Sequence, residues 1–234
     1  MAAGVRGHSG GPTIRIEPQT TSSIEWDLAP SKSHMIRWLL LAAISEGTTE
    51  IRFIGSPGAD IQSMARCLEQ FGVVIVRNPG IWIVHGIDVQ SLKPPNAVVN
   101  CDNSGTALRL LFPYASSFDV PVTLDGDHTL RSRHLPTLIT ALMDLGAEIT
   151  PVSGHDSLPC VVKGPLKSSF LNIDVSRSSQ PLSSILLAMP RITSSLTVEI
   201  HGDAVSRQHA ELSFRIAAET GSPNEWNTNK KSIH

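Results

Sequence analysis

The sequence predicts an α/β fold in which one unit, strand–helix–strand–helix–strand–strand (βαβαββ), is written three times around a pseudo-threefold axis. Three observations predict it. The order of alternating and amphipathic segments restarts twice along the chain. The copies begin near positions 23, 97 and 171, a constant spacing of 74 residues. The first helix of each copy opens on small polar residues: Ser31-Lys32-Ser33, Asn103-Ser104-Gly105-Thr106 and Ser178-Ser179-Gln180. A fixed period of this length marks stacked supersecondary units.

In the first copy, Ser22 to Leu28 alternates apolar and polar residues as a strand does, and Thr13 to Glu17 reads as a short strand ahead of it. Pro30 closes the extended segment, because proline fixes its own φ and biases the preceding residue away from helix. Ser31 or Ser33 then caps a helix over 33–46, stopped by Gly47. Thr49 to Ile54 is a strand. Asp60 to Phe71 carries Ile61, Met64, Ala65 and Leu68 on one face, an amphipathic helix ended by Gly72, and the hairpin 73–76/81–84 turns at Arg77-Asn78-Pro79-Gly80.

The second copy runs through strand 97–101, a helix to Tyr114, strand 120–124, a helix over 136–145 with proline in its first turn, and the hairpin 147–152/158–162. The third has strand 171–175, a helix from Ser178 to about Met189, strand 196–200 and a helix over 207–220. Its hairpin is missing from the pattern: 222–234 reads SPNEWNTNKKSIH, polar and without alternation. The expected organisation is a flexible segment over 1–21, the repeated lobe over 22–221 with its third repeat incomplete, and an irregular tail over 222–234.

Composition narrows the function. The 234 residues carry a formal net charge of −2, which leaves no electrostatic footprint for nucleic acid or an acidic membrane. The longest apolar run, 38–44, is too short to span a bilayer, and 1–12 lacks the apolar core of a secretion signal. Cys67, Cys101 and Cys160 sit far apart in apolar segments and read as buried thiols of a reducing cytoplasm, not as a disulfide framework or zinc site. HExxH, CxxC, P-loop and GxSxG patterns are absent from the sequence, and neither metal nor cofactor is expected.

What remains is a site for an anion. Lys32, Ser33 and Arg37 crowd the start of a helix whose free N–H groups and positive dipole end already favour negative charge. Two cations set against that preference point to a bound anion. If the three polar turns converge on one face, three dipole ends serve a highly anionic ligand. Asp60 reads equally as a cap for its own helix and as a site residue.

Three motifs carry a family resemblance. LAPSKSHMIRWLLLAA resembles the LPGSKS-x-x-x-R-x-L-L-L-A-A signature of the 5-enolpyruvylshikimate-3-phosphate (EPSP) synthases. DNSGTALRLL resembles their N-[AS]-G-T-[AT]-x-R signature. SRSSQPLSSILLAMP and GDAVSR are similar to their SSQ-x-x-S-x-L-L-M and GD-x-V-S-[KR] segments. The resemblance runs from about Ile24 to Gly221. It implies two lobes of three such repeats each, with substrates in the cleft between them, and transfer of the carboxyvinyl group of phosphoenolpyruvate (PEP) to the 5-hydroxyl of shikimate 3-phosphate on the way to chorismate and the aromatic amino acids.

By the same resemblance, Lys32, Gly105 and Arg133 match PEP-binding positions, Gly105 also marking the glyphosate site. Ser33, Arg37, Ser178, Ser179, Gln180, Ser206 and His209 match shikimate 3-phosphate contacts. Lys32, Asp60 and Asn103 match polar residues of the catalytic cleft. The chain departs from the pattern at His134 (usually proline), His209 (usually tyrosine) and Leu110 (usually proline), and it lacks the second lobe. It is therefore expected to be inactive alone and to need a C-terminal lobe in trans. Two other readings stay open: a half-protein that binds shikimate 3-phosphate without catalysis, and an enolpyruvyl transferase with another acceptor such as UDP-N-acetylglucosamine.

Overall fold

The computed structural model describes residues 27–133, 135–152, 158–189, 195–203 and 205–220, and the backbone of 226–227 and 232–233. The strand expected over 13–17, most of that over 22–28, and His134 lie outside the described residues. The first unit contains α1 (Lys32–Ala43), β1 (Gly47–Arg52), α2 (Ala59–Gln70), β2 (Val74–Asn78) and β3 (Ile81–Gly86). The second contains β4 (Val99–Asn100), α3 (Gly105–Ala115), β5 (Val122–Asp125), α4 (His128–Arg131), α5 (Pro136–Asp144), β6 (Glu148–Pro151) and β7 (Cys160–Lys163). The third contains β8 (Phe170–Asp174), α6 (Gln180–Ala188), β9 (Thr197–His201), α7 (Arg207–Glu219), β10 (Trp226–Asn227) and β11 (Ser232–Ile233).

Sheet topology shows the repeat directly. The second sheet has the order β4-β5-β7-β6 and the third β8-β9-β11-β10; the first, β1-β3-β2, has the same order over the strands described. β4 pairs parallel to β5 and β8 parallel to β9, with α3 and α6 as the crossovers, and each closing hairpin is antiparallel. The third sheet corrects one sequence expectation. The tail is not irregular throughout: Ser232 and Ile233 pair with Glu199 and Val198, and Trp226–Asn227 pairs with them in turn, giving the third repeat the hairpin it was expected to lack. Two-residue strands are too short to show alternation.

Three helices occupy the interior. Pro181 to Ala188 of α6 are buried at every position, as are almost all of 35–43 in α1 and 107–115 in α3. Helices apolar all round belong at a core, whereas one-sided α2, α5 and α7 cover it. α6 packs on both α3 and α1, α2 bridges α1 and α3, and α7 bridges α6 and α1. The buried Tyr114 hydroxyl donates to the Leu187 carbonyl at 2.7 Å, satisfying its polar end and tying α3 to α6. Gly86 and Gly164 repeat one device. A Cβ on Gly86 would strike the Ser45 and Ala42 carbonyls, and one on Gly164 the Ser116 carbonyl, so each hairpin ends against the C-terminus of its unit's first helix only because both residues are glycine.

Candidate functional site

The first turn of α1 faces two pockets. Ser31 occupies the N-cap position, but its hydroxyl meets His34 Nδ1 at 3.0 Å instead of capping a backbone N–H. Lys32, the first helical residue, reaches Asp60 Oδ2 at 3.5 Å. Asp60 does not cap its helix; Gly58 holds that position, and Asp60 sits in the first turn of α2 with its carboxylate turned to the pocket. Favourable charge at the N-terminus of α2 and attraction to Lys32 act together there.

The loop from β4 to α3 forms the opposite wall. Asp102 has φ 49°, the left-handed region that aspartate tolerates better than most residues. Its N–H donates to Asn100 Oδ1 at 2.8 Å and its carbonyl accepts from Asp127 N at 2.7 Å. Its carboxylate accepts from Ser63 Oγ at 2.6 Å and pairs with Arg66. The Ser63 hydroxyl and the Arg66 guanidinium hold that carboxyl below the usual aspartate range, against a smaller opposing effect of burial. Ser104 caps α3 by accepting from Ala107 N at 3.2 Å, and Asn103 Oδ1 accepts from Arg133 Nη2 at 2.8 Å.

Gly105 lies between two guanidinium groups. A Cβ there would be 2.7 Å from Arg109 Nη1 and 2.9 Å from Arg133 Nη1. Burial, and then the charge of Arg133, lower the Arg109 pKa. The resulting open pocket, about 470 Å³, is lined by Lys32, Asp60, Ser63, Arg66, Asp102, Asn103, Ser104, Asp127 and Arg133. A lysine point charge, an arginine fork and a helix N-terminus in one pocket suit a phosphate or carboxylate.

The second pocket, about 480 Å³, lies between the start of α1 and α7 and includes Ser33, His34, His209, Glu211 and Arg215. Beneath it is Arg37, only 3% exposed. Arg37 is not at the helix start, as its place beside Lys32 and Ser33 in the sequence suggested; it lies one turn deeper. Its Nε donates to Ser213 Oγ at 2.7 Å, Nη1 to the Ser33 carbonyl at 2.8 Å, and Nη2 to Ser183 Oγ at 3.4 Å and the His209 carbonyl at 3.3 Å. No carboxylate pairs with it among the described residues, and burial lowers its pKa to about 10. Next to it, Ser179 Oγ donates to the Ser206 carbonyl at 2.9 Å and Ser178 Oγ accepts from Gln180 N at 3.2 Å. Ser206 has φ 58° where the chain turns into α7.

The structure thus brings Lys32, Asp60, Asn103 and Arg133 together, with Gly105 beside Arg133, and puts Ser33 and His209 in the neighbouring pocket over Arg37. Ser178, Ser179, Gln180 and Ser206 meet at the start of α6 and α7. The convergence pictured from sequence holds for the turns of the first two units, whereas Ser179 lines neither pocket and is 1% exposed. Sequence reasoning passed over Ser63, Arg66, Asp102, Arg109 and Asp127. A signal existed for two of them: Ser63 and Arg66 follow Asp60 at intervals of three, a polar stripe beside the apolar face of α2.

The chain matches the family model for EPSP synthase (3-phosphoshikimate 1-carboxyvinyltransferase) over residues 16–230. It is 35% identical over 191 residues to the 3-phosphoshikimate 1-carboxyvinyltransferase of Caldivirga maquilingensis, covering 82% of this chain and 44% of that protein. It is 34% identical to the enzyme of the same name from Methanococcoides burtonii, with the same coverage. The solved EPSP synthase of Acinetobacter baumannii superposes with a TM-score of 0.75 at 25% identity, over 89% of this chain and 45% of that one. The chain spans a little under half the length of these relatives. With the family model matched over most of its length, the chain belongs to the EPSP synthase family.

Proposed function

We propose that this chain supplies one half of a carboxyvinyl transfer site, in which the 5-hydroxyl of shikimate 3-phosphate adds to C2 of protonated PEP and the tetrahedral adduct then loses phosphate. The observation that carries the reading is the meeting of Lys32, Arg133 and the N-terminus of α3 in one pocket. These groups hold PEP and stabilise the charge that develops on it. Asp60 and Asn103 fix the cations: the carboxylate keeps Lys32 over the pocket, and the amide oxygen directs Arg133. Ser33 and His209, with Ser178, Gln180 and Ser206 at the starts of α6 and α7, take the phosphorylated ring above the uncompensated charge of Arg37, and the buried Ser179 holds the Ser206 carbonyl beside them.

The relatives are about twice as long, so the other half of the site comes from a second lobe, joined or in trans. Losing one preorganised donor costs about 10²–10³ in rate and losing proton transfer roughly 10²–10⁴. The chain alone is therefore expected to bind without turnover. The test is a titration of the chain with shikimate 3-phosphate and with PEP, followed by amide NMR shifts, alongside an assay of phosphate release. Shifts at 31–37 and 178–183 with the first ligand and at 103–106 with the second support the reading. An unchanged spectrum at millimolar concentrations of both defeats it.

A further inference from the structure

We infer that Asp125 and Arg131 are positioning residues that aim Arg133 into the pocket. The inference rests on the reading of Arg133 as a PEP contact. Arg133 follows α4, a helix of four residues. A single helical turn is costly to nucleate and does not persist unaided, so something outside it must fix its direction.

Three supports do so. The Leu130 side chain is fully buried, anchoring the turn to the core. Asp127 caps the turn, its Oδ1 accepting from Leu130 N at 2.8 Å, while its own N–H donates to the Asp102 carbonyl at 2.7 Å. These two fix where the turn begins. Its end is fixed by the third support. Arg131 Nε donates to Asp125 Oδ1 at 2.9 Å and Nη2 to Oδ2 at 2.5 Å, two parallel bonds that set orientation as well as distance. The Asp125 side chain is only 12% exposed, at the end of β5, whereas Arg131 is 42% exposed. The rigid sheet therefore holds the carboxylate, and the carboxylate holds the turn. Arg133 N donates to the Leu130 carbonyl at 3.1 Å, so its backbone is carried by that same turn, and its guanidinium arrives 2.8 Å from Asn103 Oδ1. The charge of Asp125 is also felt on the neighbouring strand β7, where burial and then this carboxylate push the Cys160 thiol up to about 12.

The test uses the full chain with Arg131→Ala and Arg131→Lys, both at an exposed position, with thermal melts as a check of fold. Arg131→Ala is expected to weaken PEP binding about tenfold while shikimate 3-phosphate affinity stays within about twofold, since its contacts lie in other units. Arg131→Lys, which keeps the charge but not the fork, is expected to recover part of the loss. A second readout needs no ligand. The Asn103 side-chain amide resonances of Arg131→Ala should move toward those of Arg133→Ala, reporting the lost hydrogen bond. Wild-type PEP affinity with unmoved Asn103 signals overturns the inference, and so does equal weakening of both ligands. If the wild-type chain binds neither ligand, the functional reading fails, and the Asn103 signals alone still decide whether Arg131 aims Arg133.

Discussion

Lys32 and Ser33 are neighbours in sequence and about 100° apart around α1, so they face pockets of different electrostatic construction. On the Lys32 side each cation has a polar partner within reach: Lys32 with Asp60, Arg66 with Asp102, Arg133 with Asn103. On the Ser33 side the lining charges are already paired on α7 itself, Glu211 with Arg207 at 2.7 Å and Arg215 with Glu219 at 3.9 Å, and beneath them lies the buried Arg37, held by hydroxyls and carbonyls. The first arrangement is solvated and adjustable, so an incoming anion exchanges partners. The second is fixed at folding and offers a standing positive field that an anionic ligand completes. The difference predicts that substitutions on the Ser33 side change stability first, and those on the Lys32 side affinity first.

The largest effect tests this contrast at Arg37. Arg37→Ala removes a buried side chain and four donated hydrogen bonds, three of which join α1 to α6 and α7. The expected loss is about 3 kcal/mol, read as a shift of the urea midpoint. Arg37→Met keeps most of the volume and none of the charge. Refilling the volume avoids a cavity but leaves the Ser33 and His209 carbonyls without this donor, so this variant should be more stable than Arg37→Ala and still lose shikimate 3-phosphate binding more than tenfold. If Arg37→Met binds as well as wild type, the buried cation serves packing alone.

Arg133 is the counterpart on the other side. It is exposed, and its guanidinium donates to Asn103 Oδ1. Arg133→Ala should leave the urea midpoint within about 0.5 kcal/mol and cut PEP affinity by roughly 10–100-fold, the worth of a charge-assisted pair. A large fall in stability with no change in PEP binding would reverse the proposed roles of the two pockets. Gly105→Ala should have a smaller effect than either. A Cβ displaces the tips of two flexible arginines, not backbone, and alanine is favoured over glycine within a helix. Stability should therefore hold or rise slightly while PEP affinity drops several-fold in the same titration.

The architecture was legible because repetition amplifies weak signals: a period of 74 residues made each unit's pattern support the others. The lost details are those without a periodic signature. α4 is one turn long, and β10 and β11 have two residues each, too few to display a period of 3.6 or of 2. The site divided in the same way. Lys32, Asn103 and Arg133 were visible because motifs name them, but the burial of Arg37 was not, since an arginine in an apolar helix reads the same whether it points to solvent or to two later helices. Asp60 was ambiguous because a cap and a site residue are both acidic residues at a helix start; only the position of Gly58 separates them.

The smallest effect concerns acid. The folded Asp102 carboxyl titrates below its ordinary range, through Ser63 and then Arg66. An unfolded aspartate titrates near 3.9, so the unfolded chain binds the proton first as pH falls. The contribution of Asp102 is thus complete above about pH 4 and is lost as pH drops through the folded value. Asp174, lowered mainly by the Ser176 N–H, has the same sign. Asp102→Asn isolates the carboxylate, because asparagine also tolerates the left-handed backbone. The variant should be less stable than wild type at pH 7 by no more than about 1 kcal/mol, since exposed pairs contribute little, and the two stability curves should converge below pH 4. Because Asp102 also carries the loop bearing Asn103, PEP affinity at pH 7 should fall by a few-fold in the same variant. Curves that stay parallel down to pH 3 would mean that Ser63 and Arg66 hold the loop without using the charge of Asp102.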